Sequence, residues 1–264
     1  MKEIRLATTT SAQDSGLLAQ LLSRFESESG YKVQVQAVGS GQAMELARRG
    51  KADILLVHDP EAEQRLMDEG FGTDRRILMH NDFILVGPID DPAKVKGMHS
   101  VIEAFKKIVE TKSRFISRND VSGTDKREKE IWQKANTDPH ATDYQETKSG
   151  MAETLAVASG KKGYVLTDRA TFLSQKHELK LEVMVEGDDL LLNIYHVIQV
   201  NPTKSPGVNA EGAKALADFL NGPNAQEIIG NFMKDRFGCS LFVPDAGKTM
   251  QEITQGNWKQ VFAS

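Results

Sequence analysis

Leu17, Leu18, Leu21, Leu22 and Phe25 recur at the spacing of one helix face, and Val33, Val35 and Ala37 then alternate with Gln34 and Gln36 as strand residues do. The alternation continues along the chain. A helix is predicted after Gly39-Ser40-Gly41, a strand at 54–57, a helix at 60–69 and a strand reaching Val86. Further helices are predicted at 100–111, 122–135 and 150–159, with strands at 114–117, 164–167 and 181–185. Strand, helix, strand, helix in this order predicts an α/β fold, with a mostly parallel sheet flanked by helices.

Two stretches read as crossings between lobes. Gly87-Pro88-Ile89-Asp90-Asp91-Pro92 closes the first sheet with turn residues, and the strand from Leu191 to Val200 carries the chain back. Lobe I is therefore expected to comprise 1–87 and 194–264, and lobe II 88–193, with crossings near 86–92 and 190–196 acting as hinges. The C-terminal helices, near 210–220 and 224–233, then rejoin lobe I. After Pro244 the periodicity weakens.

A length of 264 residues suits two lobes with separate cores. The longest apolar runs, such as Ile54 to Val57, are too short to cross a bilayer. The chain opens on an extended segment with no apolar leader, which fits a cytoplasmic protein or a processed extracytoplasmic one. Basic and acidic residues number 33 and 37 and are interspersed, so neither nucleic acid nor an anionic membrane is an expected partner. The single Cys239 cannot form an internal disulfide, and beside Phe237, Leu241 and Phe242 it reads as a packed thiol.

The chemistry lies where hydroxyl-rich segments meet helix starts. Thr8-Thr9-Thr10-Ser11, Gly39-Ser40-Gly41, Ser122-Gly123-Thr124 and Thr147-Lys148-Ser149-Gly150 each precede a predicted helix. The first turn of a helix carries unpaired N–H groups and partial positive charge, and in α/β sheets ligands gather at such ends. An anion is the natural guest. Any one segment could be an ordinary N-cap, but three threonines and a serine exceed what one cap requires. Arg118, just before Ser122-Gly123-Thr124, could fork onto two oxygens of an oxyanion; its alternative partner is Asp120.

Other motifs are weaker. Gly247-Lys248-Thr249 has Phe242 where a phosphate-binding loop needs its first glycine. The histidines show no paired metal-ligand spacing, so no cation site is expected. Asp53 and Asp59 bracket one strand, and acids there commonly cap or solvate.

The Thr8-Thr9-Thr10-Ser11 and Asp14-Ser15-Gly16-Leu17 segments, with Arg118-Asn119-Asp120-Val121-Ser122-Gly123-Thr124, resemble the tungstate-binding proteins of Tup-type ABC transporters. The resemblance extends over most of the chain and includes Gly39-Ser40-Gly41 and Ala52-Asp53-Ile54-Leu55. It implies a two-lobed periplasmic-binding-protein fold of type II, with the ligand in the cleft between lobes. It also implies a periplasmic or extracytoplasmic location, a cognate permease as partner, a monomer, no cofactor and no catalysis. By the same resemblance Thr9, Thr10, Ser40, Arg118 and Thr124 are the expected contacts, with Ser11, Ser122 and Thr147 behind them.

A pocket made only of donors suits a fully deprotonated tetrahedral oxyanion and penalises a protonated phosphate. Pocket size should then separate sulfate from molybdate and tungstate. Between the last two the resemblance decides. The alternative on the same scaffold is a transferase-type enzyme using the anion site for a phosphorylated substrate. A transcription regulator's sensing domain would need a DNA-binding segment or basic face, and neither is recognisable.

Overall fold

The computed structural model describes residues 3–256. The chain runs β1 (Glu3–Thr9), α1 (Thr10–Asp14), α2 (Leu17–Ser29), β2 (Lys32–Val38), α3 (Ser40–Arg48), β3 (Ile54–Val57), α4 (Pro60–Asp68) and a long β4 (Gly72–Pro88). Then come α5 (Val101–Glu110), β5 (Arg114–Ser117), α6 (Gly123–Ala135), β6 (Asp143–Glu146), α7 (Met151–Lys161), β7 (Val165–Asp168), α8 (Arg169–Gln175) and β8 (Leu181–Val185). The last elements are β9 (Leu192–Val200), α9 (Ala210–Leu220), α10 (Pro223–Asn231), α11 (Lys234–Phe237), β10 (Val243–Pro244) and α12 (Met250–Gln255).

Contacts divide the chain into two units: residues up to His80 with Ile194–Gln255, and Asn81–Asn193. The first division falls inside β4. The strand runs on because the polar residues in its middle are buried and paired by side chains. His80 meets Asp245, Asn81 accepts from Asn193, and Asp82 accepts from Arg169. Gly87 and Pro88 are the end of a strand, and the turn follows them.

In the first unit β1 lies between β2 and β3 and is parallel to both, with Leu6 opposite Val35 on one side and Ile54 on the other. β9 pairs antiparallel with β3, placing Leu55 opposite Ile198. All four residues of β3 are buried, as expected of a strand covered on both faces. Ala7, Met44, Leu55, Leu66 and Ile198 belong to one core of this unit. Asp53 closes it at one end: its carboxylate accepts from the Arg5 guanidinium and backbone and from the Asn209 N–H. Burial pushes that carboxyl up, but these bonds more than offset it and hold it below the usual carboxylate range.

In the second unit the later half of β4 pairs antiparallel with β7, Ile84 opposite Thr167, and with β8, Val86 opposite Val183. Successive residues serve opposite cores, as the period of two requires. Phe83 and Leu85 join a cluster with Phe105, Phe115 and Trp132, whose ring centroids lie 4.3–5.2 Å apart. Ile84 and Val86 join Ile116, Leu155 and Phe172. β6 runs parallel beside β5, with Ser117 opposite Glu146.

Gly87 is fixed by close approach. A Cβ there would lie 2.4 Å from the Tyr164 ring, and the ring cannot retreat easily because its hydroxyl donates to Asp91 and accepts from the Ala93 N–H. Gly87→Ala should destabilise the protein by about 1–3 kcal/mol through overpacking; an unchanged midpoint in denaturant unfolding would show that the ring yields. Cys239, expected in the core, is only half-buried, since it follows Gly238 in a loop after the short α11. Beyond Pro244 the chain forms α12, with Ile253 buried; residues 257–264 lie outside the described residues.

Candidate functional site

Within the threonine run, strand geometry separates neighbours. Thr8 is fully buried and its hydroxyl donates to the Leu56 carbonyl at 2.8 Å, tying β1 to β3. It is a structural residue. Thr9 ends β1; its Oγ1 accepts from the Ala12 N–H at 3.3 Å and lies 3.2 Å from His58 Nε2. The His58 ring in turn rests against Tyr195, with centroids 4.7 Å apart. Thr10 is exposed as the first residue of α1, and the Ser11 side chain lies outside the described residues.

The register brings Ser40 to the same edge. Thr9 stands opposite Val38, two residues before Ser40, so the ends of β1 and β2 deliver both hydroxyls to one side of the sheet. Helix α3 begins without a side-chain cap, because its N-cap residue is Gly39. Compare α4 and α5, whose caps Asp59 and Ser100 each accept from the first turn. The first-turn N–H groups of α3 have no such acceptor, and Ser40 Oγ has no hydrogen-bond partner among the described residues. Ser40 is nevertheless buried.

In the second unit β5 ends at Ser117 and the chain enters a tight loop. Asn119 and Val121 both take positive φ, 43° and 62°. For a β-branched residue this is a strained conformation, and Val121 is also 73 % exposed. The turn folds Asp120 back onto Arg118: Nε and Nη2 donate to Asp120 Oδ2 at 3.1 and 2.5 Å, while Oδ1 accepts from the Ser122 N–H. The Asp120 partnership allowed by the sequence is thus present. Burial pushes the Asp120 carboxyl up, but Ser122 and the Arg118 charge overcome it and hold it below its usual range. Arg118 Nη1 has no hydrogen-bond partner among the described residues.

Ser122 and Thr124 play different parts. Ser122 is the N-cap of α6 and accepts from the Asp125 N–H. Thr124, in the first turn, is buried and its hydroxyl is unbonded among the described residues. Thr147 donates to the Ser117 carbonyl and meets the Thr154 hydroxyl at 2.8 Å. It fastens its segment to the end of β5, where the Lys148 N–H also reaches the Arg118 carbonyl. Helix α7 then starts on Gly150, again without a side-chain cap.

Each unit therefore presents hydroxyls and helix-start N–H groups. Thr9 with Ser40 forms one set and Arg118 with Thr124 another. The four segments use their side chains differently: Ser122 and Thr147 hold backbone, and α3 and α7 start on glycine caps. Sequence reasoning also passed over His58, although its position after a short buried strand parallel to β1 places it beside Thr9. Asp53 and Asp59, the acids considered for catalysis, are held in the Arg5 pair and the α4 cap. Among the described residues no group of three His, Cys, Asp or Glu side chains could hold a metal cation, and no helix is long and apolar enough to cross a membrane.

A model of the PBP superfamily domain matches residues 2–224. The chain is 44 % identical over 247 residues to the tungstate-binding protein TupA of Peptoclostridium acidaminophilum, covering 93 % of this chain and 86 % of that protein. The solved structure of the tungstate-binding protein TupA from Desulfovibrio alaskensis G20 superposes with a TM-score of 0.85 at 40 % identity, covering 93 % of this chain and all of that one (100 %). A structure of the tungstate ABC transporter from Geobacter sulfurreducens gives 0.75 at 38 % identity, covering 87 % of this chain and 98 % of the other.

Proposed function

The chain belongs to the PBP superfamily and, within it, to the tungstate-binding proteins, and from that premise we propose that it captures tungstate outside the cytoplasm and delivers it to an ABC transporter. It acts by binding, without catalysis. The observation that carries this reading is the donor character of both sets: hydroxyls, uncapped helix N–H groups and a guanidinium. Thr9, Thr10 and Ser40 of the first unit and Arg118 and Thr124 of the second are the proposed contacts. Ser122 and Thr147 support the loops that present them.

The donor sets also suggest which anions are refused. Asp120, the acceptor nearest Arg118, has one oxygen on the guanidinium and the other on the Ser122 N–H. With Asp120 engaged, a protonated phosphate has only hydroxyl oxygens to receive its proton, and where none is placed to accept, the unpaired donor weakens binding by about 1–3 kcal/mol. Tungstate and molybdate have acceptors alone. Choosing tungstate between them follows the names of the relatives.

Titration calorimetry with tungstate, molybdate, sulfate and phosphate tests the proposal. Tungstate should bind with a Kd of about 1 μM or tighter, equivalent to about 8 kcal/mol, and phosphate at least about tenfold more weakly. Absence of heat with both tungstate and molybdate would refute it, as would a preference for phosphate.

A further inference from the structure

Helix α6 carries a buried acid that the binding reading does not use. Glu128 follows Thr124 by four residues, so it lies on the same face of the helix, roughly 6 Å along the axis. It is almost fully buried. One carboxyl oxygen accepts from the Tyr144 hydroxyl at 2.8 Å and from Trp132 Nε1 at 3.2 Å. Ser117, the residue before Arg118, sits beside it fully buried, and its Oγ has no hydrogen bond of good geometry among the described residues.

Among the described residues no cation pairs with Glu128. From its own helix it faces Asp125, which raises rather than lowers the difficulty of ionising it, and Asp125 is paired with Lys129. β6 contributes Tyr144 and β5 contributes Ser117. α5 and β7, also packed against α6, bring the apolar Phe105 and Leu166 to the neighbouring core.

Resting on the proposed oxyanion site, we infer that anion capture is coupled to a proton held on Glu128, which acts as a positioning residue for charge beneath Thr124. With the proton in place the carboxyl is neutral and α6 offers the anion its N-terminal donors undiminished. With the proton lost, a buried negative charge stands one turn below the anion and opposes it. The proton is in effect a second ligand, and the coupling is reciprocal: a bound dianion raises the proton affinity of Glu128. Burial, more than any partner, already pushes this carboxyl up to about 7, with the bonds from Tyr144, Ser117 and Trp132 pulling the other way. The exchange therefore falls in the neutral range. The sign follows: affinity is highest below this value and declines as pH rises through it.

Calorimetry with tungstate from about pH 6.5 to 8.5, on the intact protein and on Glu128→Gln, tests the coupling. The wild-type affinity should fall by about fivefold or more across this interval. Glu128→Gln, which keeps an acceptor for Tyr144 and Trp132, should hold the low-pH affinity throughout. Tyr144→Phe, which removes a bond that favours the ionised form, should move the decline to higher pH. A wild-type affinity that does not change with pH overturns the coupling alone, as does an equal slope in Glu128→Gln. No binding at any pH overturns both the coupling and the oxyanion site.

Discussion

Arg118→Ala should lower tungstate affinity by about a hundredfold, close to 2.7 kcal/mol, with thermal unfolding nearly unchanged. The two effects separate because Arg118 faces two tasks of unequal weight. Its ion pair with Asp120 is partly exposed, and such pairs contribute at most about 1 kcal/mol to folding. Hydrogen bonds from a guanidinium to an anion are worth about 1.5–3 kcal/mol each. Removing Arg118 also leaves Asp120 as an uncompensated negative charge next to the proposed anion, adding repulsion to the lost attraction. Calorimetry on Arg118→Ala, Asp120→Asn and the double variant forms a cycle that separates these parts. The double variant should bind more tightly than Arg118→Ala. If the single change leaves the Kd within about twofold, below the resolution of any such contact, Arg118 does not belong to the site.

Arg169→Ala should act in the opposite way, with a large loss of stability. Arg169 is buried at the start of α8 and makes two bonds to Asp82, Nε to Oδ1 at 2.8 Å and Nη2 to Oδ2 at 2.7 Å, with a third from Nη2 to Glu186. Asp82 is itself buried in β4. Breaking a buried pair from one side strands the other charge and typically costs about 3–5 kcal/mol. For a protein of this size that corresponds to a drop in Tm of roughly 6–20 °C. Differential scanning calorimetry decides it, and a fall of less than about 2 °C would mean that water or another group solvates Asp82 easily. Replacing both residues by apolar ones, Arg169→Met with Asp82→Leu, should recover much of the loss.

Much of the architecture is visible in the sequence because its signals are periodic. The Leu17 to Phe25 stripe and the four apolar residues of β3 reflect surfaces that are buried, and the Val33-Val35-Ala37 alternation reflects a strand whose apolar residues are half-buried. β6 escapes this logic. Asp143-Tyr144-Gln145-Glu146 has no apolar alternation, and it is a strand because β5 offers it backbone partners. The division inside β4 leaves no mark in the sequence either, since the strand continues through it and the polar residues there are satisfied by distant parts of the chain.

The candidate site divides in the same manner. Which segments matter could be read from hydroxyls before helices, but the use of each hydroxyl could not. Thr8 and Thr9 differ through strand alternation and the Leu56 carbonyl, a contact 48 residues away. Ser122 acts as a cap, whereas the Thr124 side chain remains unbonded within the described protein. Glu128 lies in Lys126-Arg127-Glu128-Lys129-Glu130, a run that reads as a solvated face. Only its spacing from Thr124, Ile131, Trp132 and Ala135, all on the buried side of α6, betrays it.

The glycines that open α3 and α7 bear on how this protein can be improved or damaged by design. Ser, Asp or Asn at such a position usually stabilises a helix relative to glycine by a few tenths of a kcal/mol, so a search guided by robustness alone would favour replacing Gly39 and Gly150. The new side chain would settle on the same N–H groups that an anion needs, acting as a tethered competitor. Fitness for capture and fitness for heat resistance thus pull in opposite directions at these two positions, and glycine marks the side on which this sequence stands.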